Sequence, residues 1–245
     1  MPFIDLNSGN LIVVNMFKTD SSDKRDRLLE ATNAIVDSAD YPGWVSSTVH
    51  LGQDKLATLN LIQWKSIEAL QEWYAGEIFK HHDMSVYLEM TTLARLLQSE
   101  VALIQQHPAT DSNVVEISPD RDDFTTVEIL DVEQRSQRKL IDAISAGHEW
   151  LIETPGYRSQ SVLRGVLSRS ANAVRGFQTV ETDRSFLIIY SQWASKDDFD
   201  AFRTTPEHKK SPVQRAMEIK RNALTASSDW NTYTVVNANS AVDPS

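Results

Sequence analysis

The sequence predicts an α+β fold in which two copies of one unit pack their antiparallel sheets into a single α+β barrel. Two pairs of similar segments predict the duplication, because they occur in the same order in both halves. YPGWVSSTVHLG at 41–52 is repeated as TPGYRSQSVLRG at 154–165, and IQWKSIEALQEW at 62–73 is repeated as SQWASKDDFDAF at 191–202. We therefore expect a tandem repeat within one chain.

A third, shorter match lies upstream of the other two and keeps the same order. RLLEA at 27–31 is repeated as KLIDA at 139–143. The spacing between matched segments is wider in the second half of the chain. The stretch Ser168–Asp183 accounts for the difference, so we interpret it as an insertion in the second copy.

Hydrophobic periodicity predicts the elements of each copy. In the first copy the run Leu11–Phe17 predicts a strand, and the turn after it offers Asp20 or Ser22 as the cap of a helix. The later elements are predicted as strands at 44–51 and 56–64, a short helix opened by Ser66, a longer helix with Val86, Met90, Leu93 and Leu97 on one stripe, and a strand at 99–106. This order is that of a ferredoxin-like unit.

The predicted domain organisation follows from the repeat. Residues 1–110 form the first ferredoxin-like repeat, 111–122 a linker rich in polar residues, and 123–245 the second repeat with a disordered tail. Both faces of the strand that contains Leu59 and Leu61 are apolar, so both must be buried. Pairing the sheets of the two repeats buries the second face.

The composition narrows the classes of function. A net charge of −10, without a block of lysine or arginine, argues against nucleic acid or an anionic membrane surface as partner. The absence of cysteine excludes disulfides and thiolate metal sites. Neither a signal peptide nor an apolar run near the roughly 18 residues of a membrane span is evident. We therefore expect a cytoplasmic protein.

Several motif residues resemble a known family. Trp64-Lys65-Ser66, then Trp73, then Phe79-Lys80, resembles the signature of the antibiotic biosynthesis monooxygenase superfamily of α+β barrels. That family includes cofactor-independent oxygenases that convert phenolic polyketides to quinones, haem-degrading monooxygenases, and small proteins of unclear role. Tandem members of this length resemble the oxygenases that open a ring of angucycline polyketides.

Asn60 is the first candidate for chemistry, because it lies on the same predicted strand face as Trp64. Its counterpart in the second copy is Ile189, whereas Trp64 is matched by Trp193 and also fits an architectural role. A buried amide without a partner costs about 1–3 kcal/mol. The resemblance implies that Asn-x-x-x-Trp binds the phenolic substrate. We predict a catalytic Asn60 and a substrate-binding Trp64.

Asn15 and Trp73 are further candidates in the first copy. Asn15 interrupts the apolar first strand, with Val127 as its counterpart, and Trp73 is replaced by Phe202 in the second copy. The resemblance places an asparagine and a tryptophan at these positions in the haem-degrading members. We predict a catalytic Asn15, a substrate-binding Trp73, and a reactive first repeat with an apolar twin. Tyr190, Arg158 and His208 of the second repeat leave a second pocket open.

Haem ligation is the weaker alternative. The resemblance implies a ligating histidine ten residues beyond Trp73, where this chain has Asp83. His81 and His82 are out of register by two and one residues, which on a helix rotates them by about 200° and 100°. Neighbouring histidines on a helix also cannot face one metal, and no other cluster has ligand spacing. We predict no metal site.

Two candidates have weaker support. His50 follows the Pro-Gly turn on the second strand, with Leu163 as its counterpart, and is predicted as a proton acceptor near neutral pH. A histidine that is satisfied by hydrogen bonds is the alternative interpretation. Tyr87, on the long helix, is predicted to contact the substrate.

The resemblance implies a monooxygenase that acts on a polycyclic aromatic polyketide phenol or hydroquinone in antibiotic biosynthesis, by quinone formation or oxidative ring opening. Its partners would be a small aromatic substrate and dioxygen, with no tightly bound cofactor. Ring opening would require reduced flavin as cosubstrate, which makes a flavin reductase a further partner; a homodimer is left open. A haem-degrading monooxygenase and a non-catalytic ligand-binding barrel are the alternatives.

Overall fold

A computed structural model describes residues 1–77, 84–107, 113–172, 176–179 and 184–241 of the chain. Within them, strands and helices follow the order that the sequence predicts for each repeat. The strands are β1 (Phe3–Asp5), β2 (Leu11–Lys18), β3 (Trp44–Gly52), β4 (Ala57–Trp64), β5 (Leu93–Gln106), β6 (Val114–Glu116), β7 (Phe124–Glu133), β8 (Tyr157–Asn172), β9 (Gly176–Thr179), β10 (Arg184–Trp193) and β11 (Thr225–Ser240).

The helices lie on the outside of the strands. They are α1 (Ser22–Asp37), α2 (Ile67–Ala75), α3 (Met84–Met90), α4 (Gln137–Ser145), α5 (His148–Leu151), α6 (Lys196–Arg203) and α7 (Pro212–Leu224), with 3-10 turns at Gln134–Ser136 and Glu207–Lys209. None of the described helices is long and apolar enough to cross a membrane.

Eight strands form a closed barrel, which confirms the predicted fold class. The order is β3-β4-β2-β5 from the first repeat, followed by β8-β10-β7-β11 from the second. The two halves join edge to edge, because β5 pairs with β8 and β11 pairs with β3. Each half therefore repeats the same strand order, and closure leaves neither half with a free sheet edge.

The barrel interior is an apolar core to which both repeats contribute. The first repeat supplies Ile12, Val14 and Leu61, and the second supplies Val127 and Ile188, all almost completely buried. Alternate residues of the same strands point outward, where the helices cover them. The layer between strands and helices is thus separate from the barrel interior, and it is in this outer layer that the cavity described below lies.

Some predicted boundaries were wrong. Leu93 and Leu97 belong to strand β5 and not to a long helix, since α3 ends at Met90. The cap of α1 is Ser21, whose Oγ accepts a hydrogen bond from the Lys24 amide at 3.3 Å, and neither of the two predicted residues.

The linker and the tail also differ from the prediction. Within the predicted linker, Val114–Glu116 forms strand β6, which pairs with β1 near the start of the chain. Strand β11 continues to Ser240, into the predicted disordered tail, and the remaining part of that tail at 242–245 lies outside the described residues.

Both Pro-Gly turns require glycine. Gly43 and Gly156 have φ values of 80° and 74°, in the left-handed region that other residues rarely adopt. A Cβ atom on Gly43 would lie 2.5 Å from the Cβ of Ala69 on α2. The Gly43 carbonyl also accepts a hydrogen bond from the Lys65 amide at 2.8 Å. The turn thus brings α2 close to the strands.

Candidate functional site

A cavity of about 590 Å³ lies between the strands of the first repeat and its helices. This volume is within the roughly 300–1,000 Å³ typical of small-molecule sites. Residues from β2, β3, β4, β5, α1, α2, α3 and the extended strand β8 form its wall. The wall consists of Val13, Asn15, Phe17, Thr32, Ile35, Val36, Ala39, Tyr41, Trp44, Ser47, Asn60, Ile62, Trp64, Leu70, Trp73, Tyr74, Tyr87, Leu96 and Arg169.

Two asparagine side chains lie next to each other on the strand side of the cavity. Asn15 and Asn60 are directly opposite in the β2–β4 register, and Asn60 is only 7% exposed. Neither Oδ1 atom has a hydrogen-bond partner among the described residues. Each unpartnered buried amide oxygen costs about 1–3 kcal/mol. The pair is therefore a costly feature of the cavity, and a ligand with hydroxyl groups would satisfy both oxygens.

Aromatic rings cluster in the cavity wall where α2 meets the end of β4. The Trp64 and Trp73 ring centroids are 5.5 Å apart, and Tyr41 and Tyr74 each lie 5.4 Å from Trp73. These rings form a continuous aromatic surface against which an aromatic ligand can pack. The indole of Trp44, by contrast, is satisfied by a hydrogen bond that it donates to Ser47 Oγ at 2.9 Å.

The cavity wall offers no strong base. Burial raises the pKa of Tyr74 above its ordinary value, an effect that the positive charge of Arg169 partly opposes. Burial likewise raises the pKa of Tyr87. Both are therefore neutral phenols near neutral pH. The described wall residues include neither a carboxylate nor a histidine.

The structure brings five of the six predicted site residues together in this cavity. They are Asn15, Asn60, Trp64, Trp73 and Tyr87. Asn15, Asn60 and Trp64 belong to the strands, Trp73 to α2 and Tyr87 to α3. Their chemical roles remain predictions.

His50 is the exception, and its prediction as a proton acceptor for the substrate was wrong. It is completely buried and lies inside the barrel, because β3 turns this residue away from the cavity. Its Nδ1 donates to the Thr48 carbonyl at 3.2 Å, since a carbonyl can only accept; its Nε2 then accepts from the Tyr190 hydroxyl at 3.1 Å. Both nitrogens are used, and the alternative of a satisfied histidine holds.

This location makes His50 a determinant of acid stability. Burial lowers the pKa of His50 from its ordinary 6.5 to about 4. Between these values the unfolded chain binds a proton that the folded chain does not, so stability is lost as the pH falls from about 6.5. We expect wild type to lose about 2 kcal/mol more unfolding free energy than His50→Gln between pH 7 and pH 5. Urea unfolding at the two pH values measures this difference. An equal loss of unfolding free energy in wild type and His50→Gln would contradict the assignment.

The equivalent cavity of the second repeat is small, with a volume of about 130 Å³. Its wall contains Ile189 and Phe202 in place of Asn60 and Trp73, as predicted. The predicted counterpart of Asn15 was wrong, because the β7–β10 register places Glu128, and not Val127, opposite Ile189.

The prediction of an apolar second cavity was wrong, because Glu128 places a charged side chain in its wall. Its carboxylate accepts hydrogen bonds from the Arg221 guanidinium and from Ser228 Oγ. Val127, one residue earlier, points into the barrel core. The Glu128–Arg221 ion pair thus lies in the second cavity, at the place that Asn15 has in the first.

The wall residues that were not predicted from the sequence include Tyr41, Trp44, Tyr74 and Arg169. Tyr41 and Trp44 flank the Pro-Gly turn, and Tyr74 follows Trp73 directly, so an excess of aromatic residues near the motif was an available signal. Arg169 gave no such signal, because it lies in the insertion of the second repeat and reaches the cavity only through the β5–β8 pairing.

No group of metal-ligating side chains occurs in the described part of the chain. His81, His82 and Asp83, on which the haem alternative depended, lie outside the described residues. The described cavity wall contains no histidine that would hold haem iron, so we derive no step through haem.

Together, the closed two-repeat barrel and its aromatic cavity define a small-molecule site on a ferredoxin-like scaffold. A crystal structure of an anthrone oxidase-like protein is similar over 98% of this chain and 96% of its own, with 38% identity and a TM-score of 0.87. The chain therefore belongs to the ferredoxin-fold family of antibiotic biosynthesis monooxygenases.

More distant structures share the fold alone. A candidate monooxygenase from Fusobacterium nucleatum subsp. nucleatum is 11% identical, with a TM-score of 0.59 over 96% of this chain and 95% of its own. Another from Lactobacillus acidophilus is 12% identical, with a TM-score of 0.52 over 95% and 96%. No protein-family model and no curated protein sequence matches the chain.

Proposed function

We propose that this chain is an oxygenase that converts a polycyclic phenol of the anthrone type to a quinone in the cavity of the first repeat. The observation that carries the proposal is the pair of amides of Asn15 and Asn60, whose buried Oδ1 atoms have no hydrogen-bond partner among the described residues, in a cavity walled by aromatic rings. The 38% identity to an anthrone oxidase-like protein supports the same substrate class. We propose quinone formation, and not ring opening, as the reaction.

The reaction needs an electron-rich substrate and dioxygen. The substrate loses a proton to solvent and gives a resonance-stabilised anion, which transfers an electron to dioxygen. The two radicals then combine to form a peroxide anion, which takes a proton from solvent. Loss of water from the protonated peroxide converts the reacting CH₂ group to a carbonyl. One oxygen atom of dioxygen enters the quinone and the other leaves as water, so the four-electron reduction of dioxygen is balanced by oxidation of substrate carbon.

The protein contributes positioning and desolvation in this scheme. Trp64 and Trp73 hold the substrate flat. The amides of Asn15 and Asn60 hydrogen-bond its hydroxyl and carbonyl oxygens, and thereby orient the reacting carbon. Exclusion of water by the apolar wall strengthens these hydrogen bonds.

We expect the pH dependence of turnover to follow ionisation of the substrate and not of a protein group. The reason is the absence of a carboxylate or histidine from the described cavity wall. Two substrates whose phenol pKa values differ should therefore give rate profiles displaced by about the same amount. The measurement is kcat/KM against pH for 1,8-dihydroxyanthrone and a more acidic, halogenated derivative. A common inflection for both would indicate a protein base and contradict this account.

Removal of the stacking surface should weaken substrate binding. We expect Trp73→Ala to raise KM for 1,8-dihydroxyanthrone about tenfold, since an aromatic contact of this kind contributes about 1.5 kcal/mol. Phe202→Ala, at the equivalent position of the second repeat, is the matched control and should leave KM unchanged. An equal effect of the two substitutions would show that the first cavity is not the substrate site.

Dioxygen uptake by the purified protein tests the proposed function. With 1,8-dihydroxyanthrone, and after subtraction of spontaneous oxidation, we expect one dioxygen consumed for each quinone formed, without added flavin. Uptake only with reduced flavin, together with a ring-opened product, would replace quinone formation by ring opening. A Soret band on titration with haem, followed by its loss under reducing conditions, would support haem degradation. Binding of the anthrone without uptake would indicate a non-catalytic barrel.

A further inference from the structure

The insertion of the second repeat reaches the first. Strand β8 is 16 residues long, whereas its counterpart β3 has 9, and the additional length continues as a hairpin with β9. That additional length pairs with β5 of the first repeat, so that Arg169 lies directly opposite Leu96. Both residues line the cavity of the first repeat. The second repeat therefore completes the site of the first.

Arg169 differs from the other arginines of this strand. Arg158 is paired with Asp123, and Arg164 with Glu100. Arg169 has no acidic partner among the described residues, although the chain carries a net charge of −10. Arg169 is exposed, so it lies where the mostly apolar cavity meets solvent. A guanidinium at this place can direct its donors to a planar oxyanion.

We propose that Arg169 is a specificity-determining residue that binds an oxyanion of the substrate at the mouth of the first-repeat cavity. This inference rests on the proposed function, and it narrows the substrate class to polycycles that carry a carboxylate or an ionised phenol on the side of the cavity next to β8, two strands from Asn15. The charge of Arg169 already acts on the cavity interior, since it opposes the burial effect on the pKa of Tyr74. An anion seated beside it would likewise be favoured over its neutral form.

Two probes of nearly equal shape test the proposal: anthraquinone-2-carboxylate and the neutral anthraquinone-2-carboxamide. Quenching of tryptophan fluorescence reports binding, because Trp64 and Trp73 lie in the cavity wall. We expect wild type to bind the carboxylate more tightly than the carboxamide. Arg169→Gln should weaken carboxylate binding about tenfold and carboxamide binding less than twofold. Arg169→Lys keeps the charge but loses the planar arrangement of donors, so it should retain only part of the preference.

Arg164→Gln is the matched control, because it removes an exposed arginine of the same strand that pairs with Glu100 and does not line the cavity. It should leave both affinities unchanged. Alizarin distinguishes the two sources of the oxyanion: its visible spectrum shows whether the bound phenol ionises at lower pH in wild type than in Arg169→Gln. If bound alizarin ionises at lower pH in wild type than in Arg169→Gln, Arg169 binds ionised phenols. If the ionisation pH is the same but Arg169→Gln loses the preference for the carboxylate probe, Arg169 binds carboxylates.

The outcomes separate this inference from the function on which it rests. Binding of the carboxamide to wild type would show that the cavity is the site. If Arg169→Gln then weakens the binding of both probes equally, or of neither probe, the assignment of Arg169 is wrong. If neither probe binds wild type, the proposed function fails, and the inference fails with it.

Discussion

Asn60→Leu is expected to lower kcat/KM for 1,8-dihydroxyanthrone about 100-fold while leaving the fold at least as stable as wild type. The loss follows from removal of an amide that positions the substrate, since a single such hydrogen-bonding group typically contributes about 100-fold or more to turnover. The retained stability follows from the unpartnered Oδ1 atom, because an apolar side chain of similar size removes a buried polar atom that nothing in the described part of the chain satisfies. Dioxygen uptake and urea unfolding measure the two effects.

Thr58→Val provides the matched control for Asn60→Leu. Thr58 lies on the same strand, is also buried, and has an Oγ1 atom without a partner among the residues that the structure describes, yet it does not line the cavity. We expect its replacement to preserve both activity and stability. If Asn60→Leu lost stability in parallel with activity, or if Thr58→Val lost activity to the same degree, the amide would be a structural residue.

Gly43→Ala is expected to lower the free energy of unfolding by about 3 kcal/mol. Alanine at a φ of 80° is strained by about 1–2 kcal/mol. The new Cβ atom would also approach the Cβ of Ala69 to 2.5 Å, and such overpacking costs about 1–3 kcal/mol. Because Ala69 belongs to the helix that carries Trp73, activity should fall as well.

Two further variants separate the two causes. Gly9 has a φ of 68°, and a Cβ atom added to it would meet open space, so Gly9→Ala should show the backbone strain alone. Addition of Ala69→Gly to Gly43→Ala removes the clash, and the double variant should be more stable than the sum of the single effects predicts. The outcome that would contradict this is an equal loss of unfolding free energy for Gly43→Ala and Gly9→Ala, with additive effects in the double variant. It would show that Ala69 of α2 does not limit the space at this turn.

The tandem fold was predictable because short sequence patterns determine the repeated elements. The Pro-Gly turns, the strand that follows each, and the Ser-capped helix after Trp64 or Trp193 recur in both copies, and each depends on residues close in sequence. Leu93 and Leu97 misled the prediction because a spacing of four is compatible with either a helix or one face of a strand. The pairing of β5 with β2 and β8 decides for the strand.

The site was only partly predictable, because its remaining features depend on register between distant segments. Alternation placed Asn60 and Trp64 on one face, but could not show whether the face of His50 turned toward the cavity or the barrel interior. A displacement of one residue in the alignment exchanged Glu128, which lines the second cavity, for Val127 in the core. Arg169 reaches the first repeat from the second, a contact that no local pattern contains.

A crystal structure of the protein with bound 1,8-dihydroxyanthraquinone, the quinone that the proposed reaction would form, tests the central claim most directly. The account predicts that the ligand lies in the first-repeat cavity against Trp64 and Trp73, with one of its oxygens within about 3 Å of the Asn60 amide. A ligand found in the cavity of the second repeat, or one whose oxygens point away from both Asn15 and Asn60, would contradict it.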